Sequence, residues 1–253
     1  PRLSAWLSRN AQLVDILIET RPTSDHGDDF AVDNVLDFAD ILDALRLDVH
    51  HSQFRTGVFL LANPTNFQTA GTQFADIARR SISRLLSAAQ RDIAARHGSL
   101  EQAEMAVIGM GKLGSGEMSL QSDLDLVIVC DSSDFAETSD GDKPLAGDVW
   151  MARAARRLIS GLTVPTQEGS LYNVDMRLRP SGNAGPLVTK MTSFTAYQQN
   201  DAWTWEHMAL TQASVIAGSP DLVARLNAVM VDVICRRRDK SMLADDVEAM
   251  RRR

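Results

Sequence analysis

From Gly114 to Cys130 a turn of small residues runs into an apolar stretch whose leading end carries two carboxylates, Asp123 and Asp125. Alternate residues of a β-strand share a face, so these two acids project to one side while Leu124 and Leu126 project to the other. Neighbouring carboxylates repel unless a cation sits between them. Hard divalent cations such as Mg²⁺ bind through one or two carboxylates together with substrate phosphates, which makes the pair a candidate metal-nucleotide seat. The N–H groups of the turn Gly114-Ser115-Gly116, with the Ser115 hydroxyl, suit phosphate oxygens.

A competing pattern overlaps these residues. Gly109-Met110-Gly111-Lys112-Leu113-Gly114 is a literal GxGxxG, and Asp131 follows at the end of the next expected strand, as a dinucleotide fingerprint requires. That fingerprint also needs a crossover helix of about 10 to 12 residues. Only Ser115 to Ser122 separates Gly114 from Asp123, and the interval contains Gly116 and three serines, so a helix there is short and poor. Nucleotidyl transfer accounts for more of the residues.

The 253 residues are enough for a sizeable core in one or two domains. Residues 1–98 read as a helical lead-in. Leu13, Ile16 and Leu17 recur at helical spacing, Asp33 is a candidate cap for a second helix carrying Phe38, Ile41 and Leu45, and Gln68 to His97 forms a third that stops at Gly98. Residues 99–218 read as a catalytic core. It holds strands near Glu104 to Met110 and Asp123 to Cys130, then a helix from Asp148 to Leu162. Leu171 to Arg179 alternates with a period of two, placing Val174, Met176 and Leu178 on one face and Asn173, Asp175, Arg177 and Arg179 on the other. A short helix is expected over Thr192 to Gln199, and a strand or mixed segment over Trp203 to Ile216. Residues 219–253 return to helix.

Asp175, on the polar face of its strand, can complete a cluster with Asp123 and Asp125 around two Mg²⁺ ions, with Arg177 and Arg179 near a leaving pyrophosphate. Each carboxylate taken singly also suits a strand-end turn or an exposed ion pair. Lys and Arg number 26 against 33 Asp and Glu, and the resulting charge of -7 argues against a broad nucleic-acid surface. No apolar run reaches the roughly 20 residues of a membrane helix, so a cytoplasmic chain is expected. Its start, Pro1-Arg2-Leu3, suggests a fragment. Cys130 and Cys235 lack CxxC spacing and are expected as core thiols, and His50-His51 reads as solvated rather than metal-binding. Trp203 and Trp205, two apart, are expected to anchor a core face.

Four segments together resemble the catalytic half-domains of glutamine synthetase adenylyltransferase: Gly109 to Ser115, Ser122 to Leu126, Val174 to Gly182, and Ala202 to His207. The resemblance covers most of the chain, including Asp246 to Arg253. It implies an α+β, DNA polymerase β-like nucleotidyltransferase fold with a mixed sheet, preceded and followed by helices. It also implies transfer of AMP from ATP to a tyrosine of glutamine synthetase, Asp123, Asp125 and Asp175 as catalytic metal ligands, and Gly114, Ser115, Arg177 and Arg179 as nucleotide contacts. The Trp203-Thr204-Trp205-Glu206-His207 signature is more similar to the C-terminal, adenylylating half than to the half that removes AMP by phosphorolysis. Regulation by a PII-type signal protein through the full-length enzyme belongs to the same implication. Some positions depart from the family pattern. Ser115 stands for a common glycine, Ser119 for asparagine and Met208 for glutamine, while Gln212 and Ser214 stand where arginines are usual. The loss of those two charges keeps open a non-catalytic nucleotide-sensing module as the rival from another class.

Overall fold

The computed structural model describes residues 37–132, 137–166, 169–238 and 240–252. Its first helix, α1 (Phe38–Ala62), is capped by Asp37, whose carboxylate accepts from the amides of Ala39 and Asp40 at 2.8 and 2.9 Å. That side chain satisfies two of the donors a helix start leaves unpaired. Asp33 and the Leu13 segment lie outside the described residues. A 3₁₀ turn at Pro64–Asn66 leads into α2 (Phe67–His97), which ends as expected at Gly98. Gly98 has φ +82°, and a Cβ there would lie 2.0 Å from the Gly141 nitrogen, so both conformation and space demand glycine.

Beyond Gly98 the chain builds a sheet. Strand β1 (Glu104–Gly109) leads through the five-residue helix α3 (Gly111–Ser115) to β2 (Leu124–Asp131) and then α4 (Gly147–Thr163). Strands β3 (Val174–Asp175) and β4 (Val188–Lys190) follow, then α5 (Met191–Asn200), α6 (Thr204–Leu210), β5 (Ser214–Gly218), α7 (Pro220–Cys235) and α8 (Lys240–Arg251). The sheet is mixed. β1 lies antiparallel to both β2 and β5, while β3 and β4 pair in parallel with the other edge of β2. Antiparallel pairing of β1 with β2 removes the dinucleotide reading of the glycines, because that fingerprint opens a parallel βαβ unit.

Period-two alternation divides β1 and β2 between two cores. Met105, Val107, Leu124, Leu126 and Ile128 join Leu45, Phe74, Ile82 and Leu158 from α1, α2 and α4 on one face. On the other, Ala106, Ile108, Val127 and Val129 pack with Phe194, Leu222 and Leu226 from α5 and α7. Residue 98 is thus a change in secondary structure, and one hydrophobic core runs across it. The far ends of β1 and β2 place Glu104 opposite Asp131, and Arg225 of α7 pairs with both, neutralising two acids that would otherwise repel.

Two expectations need correction, the long third strand and a buried Cys235, and one of two alternatives is resolved. The alternating segment Leu171 to Arg179 is a strand only at Val174–Asp175, because the chain turns at once, with the Arg179 amide donating to the Met176 carbonyl at 3.2 Å. Trp203 to Ile216 is the mixed alternative, the helix α6, begun by Glu206, whose carboxylate accepts from the Trp203 amide at 2.8 Å, and then the start of strand β5. Cys130 is a core thiol, its pKa pushed up to about 12 chiefly by burial and then by Asp131, whereas Cys235 is exposed.

The shared core yields a prediction. Ile82 is fully buried, and Ile82→Ala is expected to destabilise the chain by about 2–4 kcal/mol while urea unfolding keeps a single transition; two separate transitions would show that helices and sheet unfold as independent units.

Candidate active site

The site forms where β2 meets β3. The Leu124 amide donates to the Asn173 carbonyl at 2.9 Å, and the parallel register sets Leu124 beside Val174 and Asp125 beside Asp175. Partners in a parallel pair face the same way, so the register that buries Leu124 puts the two carboxylates side by side. Asp123 stands one residue before β2, where its Oδ1 accepts from Asn173 Nδ2 at 3.1 Å. The three acids singled out in the sequence are brought together.

Their electrostatics follow from that crowding. The Asp125 carboxyl is raised above its ordinary pKa, first by partial burial and then by the charges of Asp175 and Asp123; Arg177 and Lys112 oppose the rise. Asp175 moves the other way, because hydrogen bonds from Arg177 stabilise its charged form. The Arg177 Nε donates to both Asp175 oxygens, at 3.1 and 2.8 Å, its Nη2 lies 2.6 Å from Oδ2, and its backbone amide adds a fourth contact at 2.8 Å. Arg177 therefore acts as the internal counter-ion of the site.

Other candidate residues have different surroundings. A Cβ on Gly114 would fall 2.0 Å from the Gln212 carbonyl oxygen and 2.5 Å from that of Gly109, so this glycine lets α3 lie against the turn before β5. The end of α3 is held by Arg79, which donates to the Leu113 and Gly114 carbonyls at 3.0 and 3.1 Å. Ser115 is exposed and lines, with Leu60, Phe67 and Phe74, a cleft of about 810 Å³. Arg179 turns its guanidinium onto the carbonyls of Met176, Gly185 and Pro186 and so pins the loop between β3 and β4. Of the two departures near β5, Gln212 sits in the turn against Gly114, while Ser214 pairs with Gly109 and buries an unpartnered hydroxyl.

Three contributors were not singled out as site residues. Gly111 has φ +52°, and a Cβ there would lie 3.1 Å from Asp125 Oδ2, so the absent side chain keeps space open beside that carboxylate. Its signal was the Gly109-x-Gly111 spacing that imitates a dinucleotide motif. Asn173 shared the polar face of the alternating segment with Asp175, and Lys112, within Coulombic reach of Asp125, carried no separate signal.

The family described as glutamate-ammonia ligase adenylyltransferase matches residues 5–229. The chain belongs to this adenylyltransferase family. It is 42% identical over 259 residues, 99% of its own length, to the bifunctional glutamine synthetase adenylyltransferase/adenylyl-removing enzyme of Brucella suis biovar 1. Identity is 42% over 260 residues to the Bradyrhizobium diazoefficiens enzyme of the same name, with full coverage of the chain, and 39% over 259 residues, 99% of the chain, to that of Mesorhizobium japonicum. The chain spans 26%, about a quarter, of each of these relatives. The mixed sheet with helices before and after it is the arrangement expected of a polymerase β-like nucleotidyltransferase. The family signature around Trp203 forms α6, where Glu206 also accepts from the Tyr197 hydroxyl at 2.8 Å. Both tryptophans are exposed, Trp203 at 61% and Trp205 at 39%, contrary to the core role expected of them.

The donor set of the candidate site suits a hard cation. All three carboxylates are oxygen donors, two of them raise the proton affinity of the third, and Gly111 leaves room beside Asp125. Among the described residues no three His, Cys, Asp or Glu side chains are already gathered at metal-binding spacing, and Asp175 is turned to Arg177.

A titration tests the crowding. An acid whose folded pKa is raised disfavours folding above that pKa, and the penalty fades as pH falls through it. Asp123→Asn removes one of the two repelling charges, so the Asp125 pKa read by carbon NMR is expected to fall. Metal-free stability at pH 7 should rise, by less than about 1 kcal/mol because the site is solvent-screened; an unchanged Asp125 titration would show that the carboxylates do not interact.

Proposed function

We propose that this chain is the adenylylating half of a bifunctional enzyme, transferring AMP from Mg²⁺-ATP to a tyrosine of glutamine synthetase. The observation that carries the reading is the register pairing of Asp125 with Asp175, with Asp123 alongside, in a chain of the adenylyltransferase family. Asp123, Asp125 and Asp175 would hold the metal. When bound, divalent ions would neutralise phosphate charge and give the attacking oxygen a Lewis-acid contact.

The chain's own residues do the rest. Asn173 fixes Asp123, and Gly111 keeps the space beside Asp125 clear. Arg177 carries the distinctive role. Moving from Asp175 to the triphosphate, it supplies a cation to the departing pyrophosphate and returns Asp175 to a more basic state. Asp175 then accepts the tyrosine hydroxyl proton as the oxygen forms its bond to the α-phosphorus and the bond to pyrophosphate breaks. Ser115, at the exposed end of α3, is the candidate phosphate contact from the turn, with Gly114 holding that turn in place. Arg179 contributes indirectly, by holding the loop that follows Arg177.

The relatives' names join adenylyltransferase to adenylyl-removing activity, and the same carboxylates would serve phosphorolysis with phosphate attacking AMP-tyrosine. ATP with unmodified glutamine synthetase, and phosphate with the modified form, separate the two halves. A cytoplasmic location and control by a PII-type protein through the longer polypeptide belong to the same proposal. Among the described residues no helix is long and apolar enough to cross a membrane.

Two substitutions test the roles. Asp125→Asn is expected to lower AMP incorporation from labelled ATP by about 10³-fold or more with the circular dichroism spectrum unchanged. Arg177→Ala should cost about 10–100-fold in kcat, and its Asp175 pKa should rise. Retention of near-full transfer by Asp125→Asn would end the assignment.

A further inference from the structure

The edge of β2 that carries the carboxylates continues past them. Three register positions along, Ile128 pairs with Val188, Val129 with Thr189 and Cys130 with Lys190, so β3 and β4 lie in succession on one edge. At about 3.3 Å per residue, β4 begins roughly 10 Å from the Asp125–Asp175 pair. Among the described residues β4 pairs with β2 and with no other strand. Beside it runs a groove of about 790 Å³, walled by Ala152 and Arg156 of α4 and by Ser193 and Tyr197 of α5. The loop pinned by Arg179 places Ser181 and Pro186 in the lining of this groove. Thr189, within the lining, is buried with its hydroxyl lacking a hydrogen-bond partner. Charges of both signs, Asp148 and Asp201 with Arg156 and Lys190, surround the rest.

These features suit an extended polypeptide better than a compact ligand. A strand edge offers main-chain donors and acceptors in a line, and an added strand takes its affinity from them and its specificity from flanking pockets. Mixed charge along the walls suits a peptide with both acidic and basic side chains. We propose that the groove along β4 receives the extended segment flanking the acceptor tyrosine, which adds to the sheet edge as a strand and leads the tyrosine toward Asp175. This inference rests on the AMP-transfer reading for the identity of its occupant, glutamine synthetase.

Hydrogen exchange of the 253-residue chain, with and without unmodified glutamine synthetase, reads the groove independently of catalysis. Bound acceptor is expected to slow exchange of the amides of residues 187–190 by at least about 10-fold, the scale of newly formed strand hydrogen bonds. Ser193→Trp, which fills the groove from an exposed wall position, and Arg156→Glu, which reverses a rim charge, should each weaken acceptor binding about 10-fold while ATP affinity and the unfolding midpoint stay as in the parent. Protection without AMP transfer would support the groove and count against the transfer reading. Absence of protection at β4, protection confined to the Trp203–Trp205 face of α6, or parent-like binding by both variants would overturn the inference.

Discussion

The parallel pairing of β2 with β3 sets the problem that the rest of the site answers. It places Asp125 and Asp175 side by side with Asp123 one turn of the pleat away, and like charges at that spacing resist a common ionised state. Two devices ease the repulsion in the protein by itself. Asp125 takes a raised pKa, and Asp175 is neutralised by a guanidinium only two residues along the chain. In the proposed function this counter-ion is well placed to be exchanged for a metal-bound nucleotide, because the Arg177 side chain is largely exposed.

Such crowding is tolerable because the strands beneath it are fixed from both faces. Leu124 and Leu126 are driven into the core shared with α2 and α4, and Val127 and Val129 into the core shared with α5 and α7. A one-residue slip of β2 would exchange these sets and bury the acids, so hydrophobic burial holds the carboxylates at the surface in register. Gly114 and Gly111 serve the same end. The first lets α3 close against the turn before β5, and the second keeps a side chain out of the space beside Asp125.

Much of this is legible in the amino-acid sequence. The apolar alternation of β2, the stop at Gly98 and the small-residue turn each obey local rules, and the four motif segments together carried the family. Asp175 was found because its segment alternates, although tertiary pairing admits only Val174–Asp175 to the sheet and turns Arg179 away to bind loop carbonyls. Local pattern cannot report such partners. Glu206 commits Trp203 and Trp205 to a short helix whose exposed aromatics look, in sequence, like a strand's core face. Likewise the glycines of a dinucleotide motif cannot be told from those of an antiparallel β-turn-β edge until the direction of β2 is known. Asn173 and Gly111 owe their importance to the register, which is a property of two segments about fifty residues apart.

In the proposed function Asp123, Asp125 and Asp175 form one cation-dependent nucleotide site gated by Arg177. Anomalous diffraction from crystals grown with Mn²⁺ and a non-hydrolysable ATP analogue tests it most directly. The account predicts metal density bridging the three carboxylates, with the Arg177 guanidinium withdrawn from Asp175 and placed against phosphate oxygens. Nucleotide bound elsewhere, with the Arg177–Asp175 pair intact and no metal between Asp123 and Asp125, would contradict it.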